Sequence, residues 1–281
     1  MPKLPHVFLG FLAVLLASGC SLLGGSQVPQ ANQALEHGFK PYLLDLQAQE
    51  QHLKALQNLS PGSSLKSTFS ELTAGQKSLR HADRDLRGMA AVMRQVGSRY
   101  RLPTWYKKSV LGKTISGVEL VDTKIIQPMH HKVALLQSTL QLLMILTPLL
   151  KLSASPSRSQ LAAALASVGP NFSRQASLDE ARYHHRFFRD ANQLGHTMQE
   201  LSAEIKARSP QALNMLDQMQ SQALTLDNDM GSLGDRESSS IDTDISTYLP
   251  QARADLKTAA SEYKKHTARS LSLHVLRALN F

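Results

Sequence analysis

Residues 245–273 read ISTYLPQARADLKTAASEYKKHTARSLSL. Through them Ile245, Leu249, Ala252, Leu256, Ala259, Tyr263, His266, Ser270 and Leu273 step by alternating fours and threes. That rhythm averages about 3.5 residues, the repeat that keeps one stripe of an α-helix turned toward a partner helix. The same stepping recurs upstream. Leu65, Phe69, Leu72, Gln76, Leu79, Asp83, Leu86, Ala90 and Met93 form a seam with two polar interruptions, ending near Arg101-Leu102-Pro103. Leu46, Leu53, Leu56 and Leu59 mark an earlier helix, stopped by Ser60-Pro61-Gly62. Met129, Val133, Leu136, Leu140, Leu143, Thr147 and Leu150 mark another, and Phe187, Ala191, Leu194, Met198, Leu201 and Ile205 one more. Leu216, Met219, Ala223, Leu226, Met230 and Leu233 follow Pro210, which suits a first helical turn.

The breaks are Ser- and Pro-rich at 153–158, Gly169-Pro170-Asn171 at the end of a short apolar helix, and a loop at 234–240 (GDRESSS). No segment keeps a period of two. Aromatics at 5% argue against a β-sandwich or an outer-membrane barrel, which need β-branched and aromatic strands. The expected fold is all-α, an elongated antiparallel multi-helix bundle with coiled-coil-like seams, over residues 35–281.

The N-terminus reads differently. In MPKLPHVFLGFLAVLLASGC, Lys3 is a positive start, Val7–Leu16 an apolar run of ten residues, and Ala17-Ser18-Gly19 small residues leading into Cys20, the sole cysteine. Ten apolar residues suit a signal peptide rather than a membrane span. An ordinary cleaved signal peptide or an uncleaved anchor are the other readings of this segment. The pattern resembles the lipobox of bacterial lipoproteins, with Ala17 three residues before the cysteine where Leu is usual. The resemblance implies cleavage of residues 1–19, acylation of Cys20 as a lipid anchor, and, from Ser21, sorting to the outer membrane. Residues 20–34 then read as a flexible tether. Acylated, Cys20 leaves no thiol for a disulfide, so stability rests on packing.

The net charge of +9 is unevenly spread. Residues 77–113 hold ten cations against Asp83 and Asp85, while residues 209–250 hold seven acids against Arg236. The basic segment ends in Tyr100-Arg101-Leu102-Pro103-Thr104-Trp105-Tyr106-Lys107-Lys108, which contains the only Trp. Aromatic rings interleaved with cations are what an interfacial binder uses, rings at headgroup depth and cations on phosphates. Arg99, Arg101, Trp105, Tyr106, Lys107 and Lys108 are therefore candidate residues for an anionic surface, lipid or envelope protein. The alternative is a solvated helix face paired with the acidic 209–250 helix. Nucleic acid is a poor partner for an exported protein, despite a pI of 9.7.

Motifs for catalysis or a cofactor do not stand out. Ser63/Lys66 and Ser261/Lys264 match a serine–lysine spacing that a Ser- and Lys-rich chain produces by chance. His130-His131 and His184-His185 diverge by about 100° on a helix and cannot share one ion. His81/Asp85 and Glu180/His184 lack a nearby third ligand, so no metal is expected. Val133–Leu150 carries no charge over 18 residues. That length allows a core helix, a partner-binding surface or a membrane-inserting segment. The expected function is that of a lipid-anchored envelope protein with a structural or binding role and no catalysis. The alternative is a membrane-inserting helical protein, whose outline resembles the haemolysin E type of pore-forming toxins.

Overall fold

The computed structural model describes residues 27–57, 65–152 and 156–267. Cys20 and the rest of the signal segment lie outside the described residues, as do Leu59, Ser63, Ser270 and Leu273. The fold is all-α, and no strand occurs among the described residues. The helices are α1 (Val28–Gln57), α2 (Leu65–Arg99), α3 (Lys113–Val121), α4 (Gln127–Ile145), α5 (Thr147–Leu150), α6 (Arg158–Tyr183), α7 (Arg186–Lys206) and α8 (Gln211–Thr267). π-helical stretches at Tyr106–Gly112 and Asp122–Ile126 flank α3, so residues 106–145 run on as one rod with no intervening loop. The helices group into two compact units, and α2, α4 and α8 supply residues to both.

Unit 1 takes the described residues of 1–63, 70–133 and 239–281. Its contacts pair residues whose numbers rise on one helix as they fall on the next, the mark of antiparallel neighbours. Gly38 lies against Val92, Tyr42 against Gly88, and Ser78 hydrogen-bonds Gln49, so α1 and α2 are antiparallel. Arg94 meets Glu119, Arg87 meets Asp122 and Arg80 meets His130, so α2 and the rod from Tyr106 are antiparallel. Lys113 meets Asp255 and Lys132 meets Asp244, so α8 closes an up-down-up-down four-helix bundle. At Gly88 a Cβ would come within 2.5 Å of the Tyr42 ring, so only glycine lets α1 lie this close.

Unit 2 takes residues 64–69 and 134–238. The α6–α7 hairpin is its centre, turning at His184, which is left-handed with φ 52°. Phe172, Phe187, Phe188, Leu165, Leu194 and Leu201 are fully or almost fully buried, joined by Leu135 and Leu142 of α4 and Leu226 and Leu233 of α8. The capping box of Ser157 and Gln160 starts α6, as Ser-x-x-Gln should. A Cβ on Gly195 would lie 2.7–2.8 Å from the Ser173 backbone, so α6 and α7 touch nearly backbone to backbone there.

Several expectations are corrected. The helix begins at Val28, inside the stretch read as tether to residue 34, because Val28, Ala31 and Leu35 step into the unit 1 core. α6 runs through Gly169-Pro170-Asn171 rather than stopping: Pro170 is exposed, while Gly169 packs against Gly195 and Met198. Residues 234–240 are helical, carried as part of α8 between buried Leu233 and Ile245. In α2 the polar seam positions Gln76 and Asp83 are only half-buried, and Asp85 is the buried acid, because α2 packs on two neighbours and buries a second stripe through Gly75, Ala82, Met89 and Val96. In the segment 133–150 the buried residues are Val133, Ala134, Leu135, Ser138, Thr139 and Leu142; of the expected seam Val133 is buried, Leu136, Leu140 and Leu143 are half-buried, and Leu150 is 73% exposed. The helix breaks at Leu146 ahead of Pro148, and Ile145, Leu146 and Leu149 pack on the unit 2 core. No helix among the described residues is long and apolar enough to cross a membrane.

Candidate anionic-surface site

Three helix ends and the π-helical stretch meet at one end of unit 1. α2 stops at Arg99 because Leu102-Pro103 follows, and Pro103 disfavours helical geometry in the residue before it. The chain then turns and re-enters helix at Thr104. That turn is clasped by the first described residue: Gln27 donates its backbone N–H to the Arg101 carbonyl (3.3 Å), and its side-chain oxygen accepts from the Arg101 N–H (2.7 Å). Tyr106 donates its hydroxyl to Asn32 of α1, and Asn32 donates to the Tyr263 hydroxyl of α8 (3.0 Å). Tyr106 is 1% exposed, and burial pushes its phenol well above the usual tyrosine range. It is thus a core residue that locks three helices, not a surface contact as the sequence suggested.

Trp105 is the residue that shows at this end. It is half-buried, with one ring face stacked on His266 at 4.4 Å and its edges against Tyr106 and Tyr263. Arg99, Arg101, Lys107 and Lys108 are all exposed around it, and Arg99 lies over the Tyr100 ring at 5.8 Å. The last turn of α8 adds Lys264 and Lys265, both exposed, with Lys265 loosely paired to Glu262 at 3.9 Å. Sequence reading missed these two lysines and Gln27. The signal available was the placement of Tyr263 and His266 on the clearest seam of the chain, which carries the neighbouring lysines wherever that seam docks.

The other half of the basic segment is spent inside unit 1, but not on the acidic 209–250 helix. Arg84 pairs with Asp45 and with Asp85 (3.1 Å), Arg87 with Asp83 (2.7 Å) and Asp122 (3.3 Å), Arg94 with Glu119, and Lys113 with Asp255 (2.9 Å). Arg80 donates to His130. Among the described residues, Asp244 alone of the acidic segment makes an ion pair with a lysine of this unit, Lys132, at 2.8 Å. Burial is the leading cause that raises Asp85 and Asp122 to about 6, and each keeps one carboxylate oxygen without a hydrogen-bond partner. His81 holds Asp45 below the ordinary carboxylate range through a 3.0 Å contact, so the partner of His81 is Asp45 on α1 rather than Asp85 one turn on along α2.

Other chemistry on the page is sparse. No group of three His, Cys, Asp or Glu side chains able to hold one metal ion occurs among the described residues. Ser173 on α6 meets His196 of α7 at 3.2 Å. It already donates its single proton to Asn192 at 2.7 Å, so the imidazole stands as donor rather than base toward it. A groove of about 720 Å³ in unit 1 is rimmed by Arg87, Arg94 and Glu119, with Leu86 and Val118 beneath. Comparison with known protein families, with curated proteins and with solved structures finds no match to this chain.

Proposed function

We propose that the chain is a lipid-anchored protein of the bacterial cell envelope. It is acylated at Cys20, held at the periplasmic face of the outer membrane, and acts by binding through its helical surfaces rather than by catalysis. One observation carries the reading beyond the N-terminal pattern: Gln27, only seven residues after Cys20, is already clasped to Arg101 at the surface of unit 1. Seven residues reach about 25 Å fully extended, and about 15 Å as a flexible coil. A lipid on Cys20 therefore holds a folded helical body close to the bilayer. Several acyl chains, at about 0.8 kcal/mol per buried methylene, make such attachment lasting. Within the body, α4 gives Leu135 and Leu142 to the core of unit 2, which leaves the exposed faces of the helices as the working surface.

The test is acylation in the producing cell. Labelled palmitate should enter the wild-type chain and not Cys20→Ala, and the wild type should fractionate with the outer membrane. Equal labelling of both chains would sink the anchor.

A further inference from the structure

The clasp at Gln27 does more than shorten the tether: it decides which part of unit 1 is nearest the lipid. Four features converge on that end, and each has a physical reading of its own.

The first is unexplained charge. Arg99, Lys264 and Lys265 stand in the last turns of α2 and α8, where cations complement the helix dipole. Lys107 and Lys108 stand in the opening turn of the rod that begins after Pro103, where the dipole disfavours cations. Neither they nor Arg101 form an ion pair among the described residues, although Arg84, Arg87, Arg94 and Lys113 of the same segment all do. Local electrostatics thus accounts for Arg99, Lys264 and Lys265, opposes Lys107 and Lys108, and leaves Arg101 in the turn unexplained.

The second feature is scarcity of acid. Glu262 is the carboxylate on the final turns of α8 here, shared between Lys265 and His266, and Glu36 sits two turns into α1. Six exposed cations against these two leave the end strongly positive.

The third is Trp105. An indole half-covered by a stacked imidazole and half-open, ringed by cations, has the amphipathic environment that tryptophan occupies at headgroup depth.

The fourth is the tether itself. Residues 20–27, CSLLGGSQ, carry no charged side chain, so nothing in the tether competes for the same headgroups.

We propose that this end of unit 1, with Arg101, Lys107, Lys108 and Lys264 around the Trp105–His266 stack, docks onto anionic phospholipid headgroups of the membrane that holds the Cys20 anchor. The proposal rests on the anchoring reading and specifies its geometry. The lipid supplies proximity, the cations then orient unit 1 end-on, and the remaining helical surface is turned away from the bilayer toward its partner. Each cation within a Debye length of about 8–10 Å of the phosphates adds on the order of 1 kcal/mol, so the orientation is sensitive to salt while the anchorage is not.

The experiment uses the acylated chain purified from cells and reconstituted into vesicles carrying a headgroup-level quencher. Trp105 is the only tryptophan, so its fluorescence reports this end alone. Vesicles are neutral phosphatidylcholine, or phosphatidylcholine with about a third phosphatidylglycerol. The expected result is several-fold stronger quenching in the anionic vesicles, reversed by high salt, with the same amount of protein floating with both. Changing Arg99, Arg101, Lys107 and Lys108 to Gln should abolish the difference while far-UV circular dichroism stays unchanged. Should that variant fail to fold, Lys264→Gln with Lys265→Gln should lower the quenching on its own. Four matched changes in unit 2, at Lys151, Arg158, Arg174 and Lys206, should leave it intact. Equal quenching in both vesicles, or equal loss from the unit 2 changes, would overturn the dock. A chain that fails to float with neutral vesicles overturns the anchor instead. The dock is then read from low-salt binding of that same chain to the anionic vesicles.

Discussion

Units 1 and 2 are both built of antiparallel helices, yet they are held together by different chemistry. In unit 1 the helices are joined across their interfaces by charge: Asp45 with His81 and Arg84, Arg87 with Asp122, Lys113 with Asp255, Lys132 with Asp244. In unit 2 the ion pairs among the described residues are local, as Arg186 with Asp190 one turn on, and the helices meet mainly through apolar and small neutral residues. Ser202 donates to the Ala162 carbonyl at 2.7 Å and Ser173 to Asn192, beside the Gly169–Gly195 approach. Small side chains bring backbones close and seal a core with dispersion; charged ones keep them apart and specify register at a desolvation cost. Both units have apolar cores, with Leu35, Phe39, Leu79 and Leu86 buried in unit 1, but unit 1 adds a layer of cross-helix charge whose contribution answers to pH and salt.

The sharpest way to break this contrast is Phe188→Ala. The ring is fully buried between Phe187 and Tyr183, and its loss should cost about 3–5 kcal/mol. If the units unfold separately, the circular dichroism transition of unit 2 should fall while the Trp105 transition of unit 1 holds. If both fall together by the same amount, the difference is one of composition and not of stability.

An intermediate effect is expected from Asp122→Asn. Burial raises this carboxyl to about 6 from an unfolded value near 4, so between those limits the folded state holds the proton that the unfolded state has lost. Stability contributed by this group is therefore greatest below pH 4, declines through pH 4–6 and is flat above 7. The amide that replaces the carboxyl does not titrate, so the variant should gain on the wild type as pH rises from 4 to 7. A melting-temperature difference constant with pH would show that the buried acid does not set unit 1 stability. Asp85, raised for the same reason, should leave part of the wild-type slope in place.

The smallest effect belongs to Arg94→Gln. Arg94 and Glu119 are 58% and 43% exposed, so their pair should contribute about 0.2–1 kcal/mol, vanishing in high salt. A loss well beyond that, measured by denaturant titration, would mean that exposed pairs of unit 1 act as a network.

The seam of α7 was legible, and the reason is local: Phe187, Ala191, Leu194, Met198 and Leu201 are all buried, in the register their spacing implies, whereas Leu216 and Ala223 on the seam expected after Pro210 are exposed. What failed was punctuation. Gly169-Pro170 has the form of a stop, but in α6 the glycine serves the contact with α7 and the proline faces solvent, where its missing N–H disturbs little. Likewise GDRESSS has the composition of a loop, and the core residues on either side of it carry the helix through. The candidate site was half legible. Trp105 and the cations around it stood out as a cluster, but Tyr106 is interior, and charge counting chose the wrong acids. Which cation meets which acid depends on helix register, and register sets residues 80–94 against Asp45, Glu119 and Asp122 while Asp217, Asp227 and Asp229 belong to unit 2. Composition carries no register.

The two π-helical stretches that flank α3 bear on how this chain tolerates changes of length. A π turn holds about one residue more than an α turn, which rotates everything beyond it by roughly 100° about the helix axis. Two such turns, at Tyr106–Gly112 and Asp122–Ile126, let one rod present Tyr106, Val110, Val118, Val121, Ile125 and Met129 to the core in succession. They are also slack. A residue removed there relaxes the turn to ordinary α geometry, whereas one removed from α2 rotates both of its buried stripes out of register at once. The stretch of the rod from Tyr106 to Val133 is therefore the part of unit 1 that can drift in length without losing its face.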